Sequence, residues 1–292
     1  MSFYARYGAN NAFSNVLSDE ELNKITVNQI KAIISAFKMY EHKILYYGPE
    51  ENLNLVKTLN QFHQAPEKLK PVPQALTFTE KQLDKTVYVV DYDMKQAEII
   101  MLTNGESYKR ENVPVITLYN NYFGGGMSSV LFQDLRESKA LAYSTYSRYN
   151  QPNKLTKKYY NLSYIGSQAD KLAEAMKGLS DLLNEMPKAE ASFNAAKESV
   201  LAEMRTQRIT KAEVLFNYLE AEEMGNKIDI RKEIFEKVPA FTFDDIKNFH
   251  TNNIKGKPTT VLVLGKKEAL DMGVLEKYGK VQFLSLKEVF GY

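Results

Sequence analysis

The chain has 292 residues, 44% of them hydrophobic and 25% charged, with a formal net charge of +2. That balance is ordinary for a globular protein and gives no electrostatic footprint for nucleic acid. No apolar run approaches the roughly 20 residues that a membrane span needs. The absence of cysteine excludes disulfides, thiolate catalysis, cysteine-held zinc and iron–sulfur sites. The opening segment MSFYARYGANNAF lacks a charged region followed by an apolar one, so it does not read as a signal peptide. His42, His63 and His250 stand far apart, with no HExxH or HxxEH spacing. They read as surface or capping residues, and no metal site is expected in this chain.

From Thr26 the string TVNQIKAIISAF predicts an amphipathic helix with Thr26 as its N-cap. A β-rich run, Ile44 to Gly48, and another helix-like segment follow. The stretch Lys68 to Gln74 carries two prolines and reads as a linker. Thr86 to Tyr92 is β-branched and aromatic, which predicts a strand, with Gln96 to Thr103 as its neighbour. A helix is expected from Val113 to Tyr122, then the run Gly124, Gly125 and Gly126, then a helix from Ser128 to Ser138. Ala142 to Tyr149 and Lys158 to Ile165 read as paired strands around the turn residues Gln151 to Asn153. Three helices follow: Asp170 to Met186, stopped by Pro187; Glu190 to Gln207; and Lys211 to Met224, ended by Gly225.

From Thr242, TFDDIKNFHTNN and then TTVLVLGK repeat the N-terminal pattern at an offset of about 216 residues, with Ile246 and Lys247 matching Ile30 and Lys31. Residues 1–67 therefore read as the C-terminal tail of a preceding homologous domain, 68–74 as a linker, and 75–292 as one complete domain. Strands come together and helices follow in runs, which predicts an α+β domain with a largely antiparallel sheet packed with helices.

The most distinctive stretch is YFGGGMSSVLFQDLRESKALAY, residues 122–143. Three glycines leading into a helix allow positive φ and close approach of a ligand, and the helix start presents free N–H groups. Neither GxGxxG nor GxxxxGK[ST] is present, so a nucleotide site on the glycine run is the weaker of the two readings.

This string resembles the second-half signature of the pitrilysin/insulinase family of zinc metallopeptidases, and the resemblance extends over the chain to its ending, Lys277 to Tyr292. The resemblance implies that related α+β domains pair to enclose a chamber. A zinc site would lie in an N-terminal catalytic half, on the same polypeptide or on a partner subunit. The present chain would supply an Arg and a Tyr seven positions apart, here Arg136 and Tyr143, to hold an unfolded peptide substrate. Gly124, Gly125 and Gly126 would border that contact.

With no HxxEH, this chain alone is expected to hold no zinc and to cleave nothing. It reads as a fragment or a separately expressed piece whose Met1 is an expression start or an internal residue. Any signal would lie upstream, leaving a bacterial periplasm and a bacterial cytoplasm both open. The alternative is a catalytically inactive scaffold homologue of the same family.

Overall fold

The computed structural model describes residues 1–291; Tyr292, the last residue of the family-like ending, lies outside the described residues. Six strands form one sheet: β1 (Thr86–Asp91), β2 (Gln96–Ser107), β3 (Ser144–Asn150), β4 (Lys158–Gln168), β5 (Thr259–Gly265) and β6 (Lys280–Leu284). Their spatial order is β3-β4-β2-β5-β1-β6. The pairs β3/β4, β4/β2 and β2/β5 are antiparallel, as the α+β reading expects. The pairs β5/β1 and β1/β6 are parallel. A parallel neighbour needs a long crossover, and β5 returns to β1 only after the helical run.

Four helices precede the sheet: α1 (Ser2–Tyr7), α2 (Asp19–Asn23), α3 (Val27–Ala36) and α4 (Asn52–Phe62). Within and after it come α5 (Val113–Phe123), α6 (Leu172–Asn184), α7 (Glu190–Thr206), α8 (Lys211–Glu223), α9 (Ile230–Lys237), α10 (Phe243–Asn253), α11 (Met272–Glu276) and α12 (Leu286–Phe290). The expected α-helices form, except that the segment expected from Ser128 to Ser138 winds differently. The short helices α1, α2, α9 and α12 and the strand β6 were not anticipated; in α9 the apolar positions are few and only Ile234 is buried.

The core lies on one face of the sheet. Alternation in β2 sends Ala97, Ile99 and Met101 into it, beside Val87, Val89, Val261 and Val263. Onto this face pack α5, α6 and α10 through side chains such as Tyr119, Phe123, Met176, Leu179, Ile246 and Phe249. Helix α5 is apolar nearly all round, which places it in the interior. Each such side chain, fully buried, contributes about 1.5–3 kcal/mol.

His250 belongs to this interior and is not the surface residue its isolation in sequence suggests. It is 2% exposed, and its Nδ1 lies 3.0 Å from the Tyr119 hydroxyl. Burial pushes its pKa down to about 4 and raises that of Tyr119 well above the usual phenol range.

β3 is an edge strand, and its outward backbone is covered. Asn120 of α5 accepts from the Tyr149 N–H (2.8 Å) and donates to the Tyr149 carbonyl (3.1 Å), as a neighbouring strand would. Gly124 accepts from the Ser147 N–H at 3.4 Å. A Cβ on Gly124 would sit 2.3 Å from the Ser147 nitrogen and 2.5 Å from its oxygen, so only glycine permits this approach.

The N-terminal region differs from the rest. Helices α2, α3 and α4 bury no residue. Thr26 does cap α3, in a reciprocal box with Gln29. The run Ile44–Gly48 is not a strand; only an isolated bridge, Tyr40 with Lys70, lies nearby. Strand hydrogen bonds run to neighbours, and no sheet stands beside this run to receive them.

Two predictions follow from this packing. Between pH 6.5 and 4 the unfolded chain binds a proton at His250 that the folded chain refuses. Its stabilisation is complete above pH 6.5 and is lost as pH falls through that window toward 4, by at most roughly 3 kcal/mol. Urea midpoints from pH 7 to 4 should fall accordingly, and His250→Gln should flatten that part of the profile; an unchanged slope would contradict the assignment. Gly124→Ala should cost about 3 kcal/mol by overpacking against β3. Gly126→Ala, where φ is +100° and a Cβ meets nothing, should cost only about 1 kcal/mol. Equal losses in urea denaturation would refute the distinction.

Candidate functional site

The segment between α5 and β3 carries the predicted side chains, and its backbone is fixed along its length. Gly124 is buried beneath β3, whereas Gly125 and Gly126 are exposed. Gly125 has its own constraint, since a Cβ there would lie 2.8 Å from the Asn120 carbonyl. Ser129 closes the turn, its N–H and hydroxyl both donating to the Gly126 carbonyl (3.2 and 2.7 Å).

The helix expected next is π-helical over Phe132–Ser138. Its wider winding shows in Lys139, whose N–H reaches back five residues to the Asp134 carbonyl (3.1 Å). Such turns are uncommon and concentrate at functional sites. Leu135 anchors it, fully buried against Gly178, where a Cβ would stand 2.7 Å from the Leu135 Cδ2.

Arg136 follows that anchor and projects into solvent. Its guanidinium lies 4.6 Å from the centroid of the Phe132 ring. Its only ion pair among the described residues is with Glu137, at 3.8 Å and half exposed, and contributes little. Asp134, the other acidic neighbour, pairs instead with Lys139 at 2.6 Å.

Ala140 then takes φ +49°, the one non-glycine residue with positive φ among those described. The reversal lets the N–H groups of Leu141 and Ala142 both donate to the Leu135 carbonyl (2.8 and 3.2 Å). Left-handed alanine costs about 1 kcal/mol, and strain of this kind collects where geometry serves a site.

Tyr143 comes just ahead of β3 and not within it. Its N–H donates to the Gly166 carbonyl (2.8 Å), while its ring is 74% exposed and makes no hydrogen bond or ring contact among the described residues. The core-packing role open to a tyrosine beside a strand is therefore not the one it has.

No group of three or more His, Cys, Asp or Glu side chains that could hold a metal occurs among the described residues. His42 and His63, distant in sequence, do meet, Nε2 to Nε2 at 2.7 Å, with both rings exposed. Two imidazoles are fewer than the three protein ligands of a catalytic zinc, so the residues of this chain do not fit that group. Neither Ala140 nor Glu98, the carboxylate within the apolar first half of β2, stood out in the sequence. A charge breaking the run QAEIIMLT was the available signal for the latter.

The family described as Peptidase M16 inactive domain matches residues 24–200. The uncharacterized zinc protease YmxG of Bacillus subtilis is 44% identical over 55 residues, which is 19% of this chain and 13% of that protein. The uncharacterized zinc protease SCO5738 of Streptomyces coelicolor is 29% identical over 136 residues, 44% of this chain and 29% of that protein. The chain thus spans less than a third of either curated relative.

Among solved structures, a peptidase M16 inactive domain from Pseudomonas fluorescens superposes with a TM-score of 0.67 at 15% identity, over 92% of this chain and 65% of that one. The ferredoxin protease FusC, a mutant in complex with Arabidopsis ferredoxin, gives 0.68 at 9% identity, over 91% of this chain and 29% of that one. At these identities the likeness is one of fold. The family match covers more than half of the residues and includes the whole segment from Gly124 to Tyr143; this chain belongs to the peptidase M16 inactive-domain family.

Proposed function

We propose that this chain is the non-catalytic, substrate-holding part of a zinc-dependent endopeptidase, and that Arg136 and Tyr143 hold the peptide. One observation carries the reading. The two side chains stand exposed at either end of a short loop whose backbone is tied to Leu135 and Gly166; Arg136 has only the local contacts with Phe132 and Glu137 among the described residues, and the Tyr143 ring makes none. A guanidinium presents a rigid fork of donors suited to a peptide carbonyl. A phenol can donate a hydrogen bond to a carbonyl oxygen as charge develops on it, a contribution on the order of 3 kcal/mol. Gly125 and Gly126, exposed, leave room for a chain beside this pair, while Gly124 sets the turn. The zinc belongs, in this reading, to a separate catalytic half.

The N-terminal region supports such a partner. Helix α10 and helix α3 share a sequence pattern, yet Ile246 of α10 is fully buried and its match Ile30 in α3 is 48% exposed. Ile33, Ile34 and Phe37, with Leu53, Val56 and Phe62 from α4, are exposed as well. Apolar surface on this scale marks an interaction site. The sequence reading makes residues 1–67 the end of a sister domain, joined by 68–74 to the domain formed by 75–292. The partner in this reading is the N-terminal catalytic half, on the same polypeptide or on another subunit.

The test is complementation with an unstructured fluorogenic peptide. Cleavage should require this chain together with the catalytic half and zinc. It should fall at least about tenfold, or about 1.4 kcal/mol, in kcat/KM for Arg136→Ala and for Tyr143→Phe. Cleavage by the catalytic half alone, or by the reconstituted pair with either substitution at the full rate, would remove the role and favour a scaffold.

A further inference from the structure

The face of the sheet opposite the core divides into two halves. One is covered by α1, which packs through Ala5 against Leu83, Leu102 and Leu262. There Arg6 of α1 lies 3.5 Å from the centroid of the Tyr160 ring, and its guanidinium pairs with Glu80 at 2.6 Å. A cation is thus held between an aromatic ring and a carboxylate.

The other half is open and holds a similar aromatic and acidic set without the cation. Across β2, β4 and β3 the register aligns Glu98 with Gly166 and Ser144, and in the next row on the same face Ile100 with Tyr164 and Tyr146. The rings of Tyr146 and Tyr164 stack at 4.9 Å with 29° between their planes. The Tyr164 hydroxyl donates to Glu98 Oε2. Glu98 makes no ion pair among the described residues and is half-buried, while Tyr146 is 45% exposed. Burial first, and then the Glu98 carboxylate, push the Tyr146 and Tyr164 hydroxyls above their usual range.

The cluster is built around an absent side chain. A Cβ on Gly166 would lie 2.6 Å from the Tyr164 hydroxyl oxygen and 3.1 Å from Glu98 Oε2, so glycine is what lets the two meet. The carbonyl of that same glycine accepts from the Tyr143 N–H. The cluster is therefore one residue away from the backbone anchor of Tyr143.

We infer that Glu98, Tyr146 and Tyr164 form a subsite for a basic side chain, lysine or arginine, of a peptide held at Tyr143. The carboxylate supplies the counter-charge and the exposed ring of Tyr146 a face for a cation. The inference rests on the peptide-holding reading above and adds a preference to it.

The test is fluorescence anisotropy with the full chain and two labelled peptides, acetylated, amidated and unstructured, identical except for a central Arg or Gln. The Arg peptide should bind about five- to tenfold more tightly. Glu98→Gln should bring the two affinities within about twofold, chiefly by weakening the Arg peptide. Tyr146→Leu, which removes the partly exposed ring and keeps an apolar side chain there, should cut the preference by about two- to threefold. Equal binding of both peptides, or a preference that survives Glu98→Gln, overturns the subsite.

Arg136→Ala separates the two readings. It should weaken both peptides alike and keep their ratio. If it changes neither affinity while Glu98→Gln still abolishes the preference, the subsite stands and the Arg136 contact fails. No binding of either peptide overturns both.

Discussion

The Gly124 carbonyl accepts the Ser147 N–H across a gap that leaves no room for a side chain, and beside it Asn120 pairs with both backbone groups of Tyr149. This junction between the end of a buried helix and an edge strand is the constraint on which the rest depends. An uncovered edge strand invites pairing with other chains. Here a helix end covers it, and α5 must then lie flat against the sheet. That placement in turn buries Tyr119, Tyr122 and Phe123. The core and the protected edge are two results of one close backbone approach.

The same junction positions the candidate site. From Gly124 the chain leaves the edge, turns through Gly126, winds once as a π-helix and returns at Tyr143 to the strand it left. Both ends are therefore fixed to β3 or its neighbour β4, and the excursion between them is pinned at its middle by Leu135. A loop so constrained loses little entropy when a ligand orders it, because fixing a residue's backbone costs about 1–2 kcal/mol and that cost has been met in folding. The left-handed Ala140 is what closes the loop; without that reversal, Leu141 and Ala142 could not turn back to the Leu135 carbonyl.

What could be read from the sequence follows the range of the interactions. The strands β1 to β5 and the helices α5, α7 and α10 were legible within a few residues, since period and end signals are local. The pair Arg136 and Tyr143 stood out only through the family resemblance and remains a proposal, because nothing in their own chemistry separates them from surface residues. The π-helical winding was not legible, as i→i−5 and i→i−4 turns place apolar residues at nearly the same spacing. Nor was the burial of His250, which needs Tyr119, 131 positions away, to give it a partner. The parallel pairings of β1 with β5 and β6 were hidden for the same reason, being set by a crossover of the whole helical run.

The two copies of the repeated pattern show the point within one chain. After Thr26 and after Thr242 the helices form alike, each with a reciprocal box at its start, because helix hydrogen bonds and caps lie within the segment. The runs that follow part company. Thr259–Gly265 finds β1 and β2 on either side and becomes a central strand, while Ile44–Gly48, comparably rich in β-formers, has no neighbours and stays irregular. Likewise Ile246 is buried and Ile30 is not. A helix can be specified by its own residues, but a strand and a buried face must be completed by others. The exposed isoleucines of α3 and the unpaired run after it therefore lack the same thing: a sheet for the run to join and for the helix to cover.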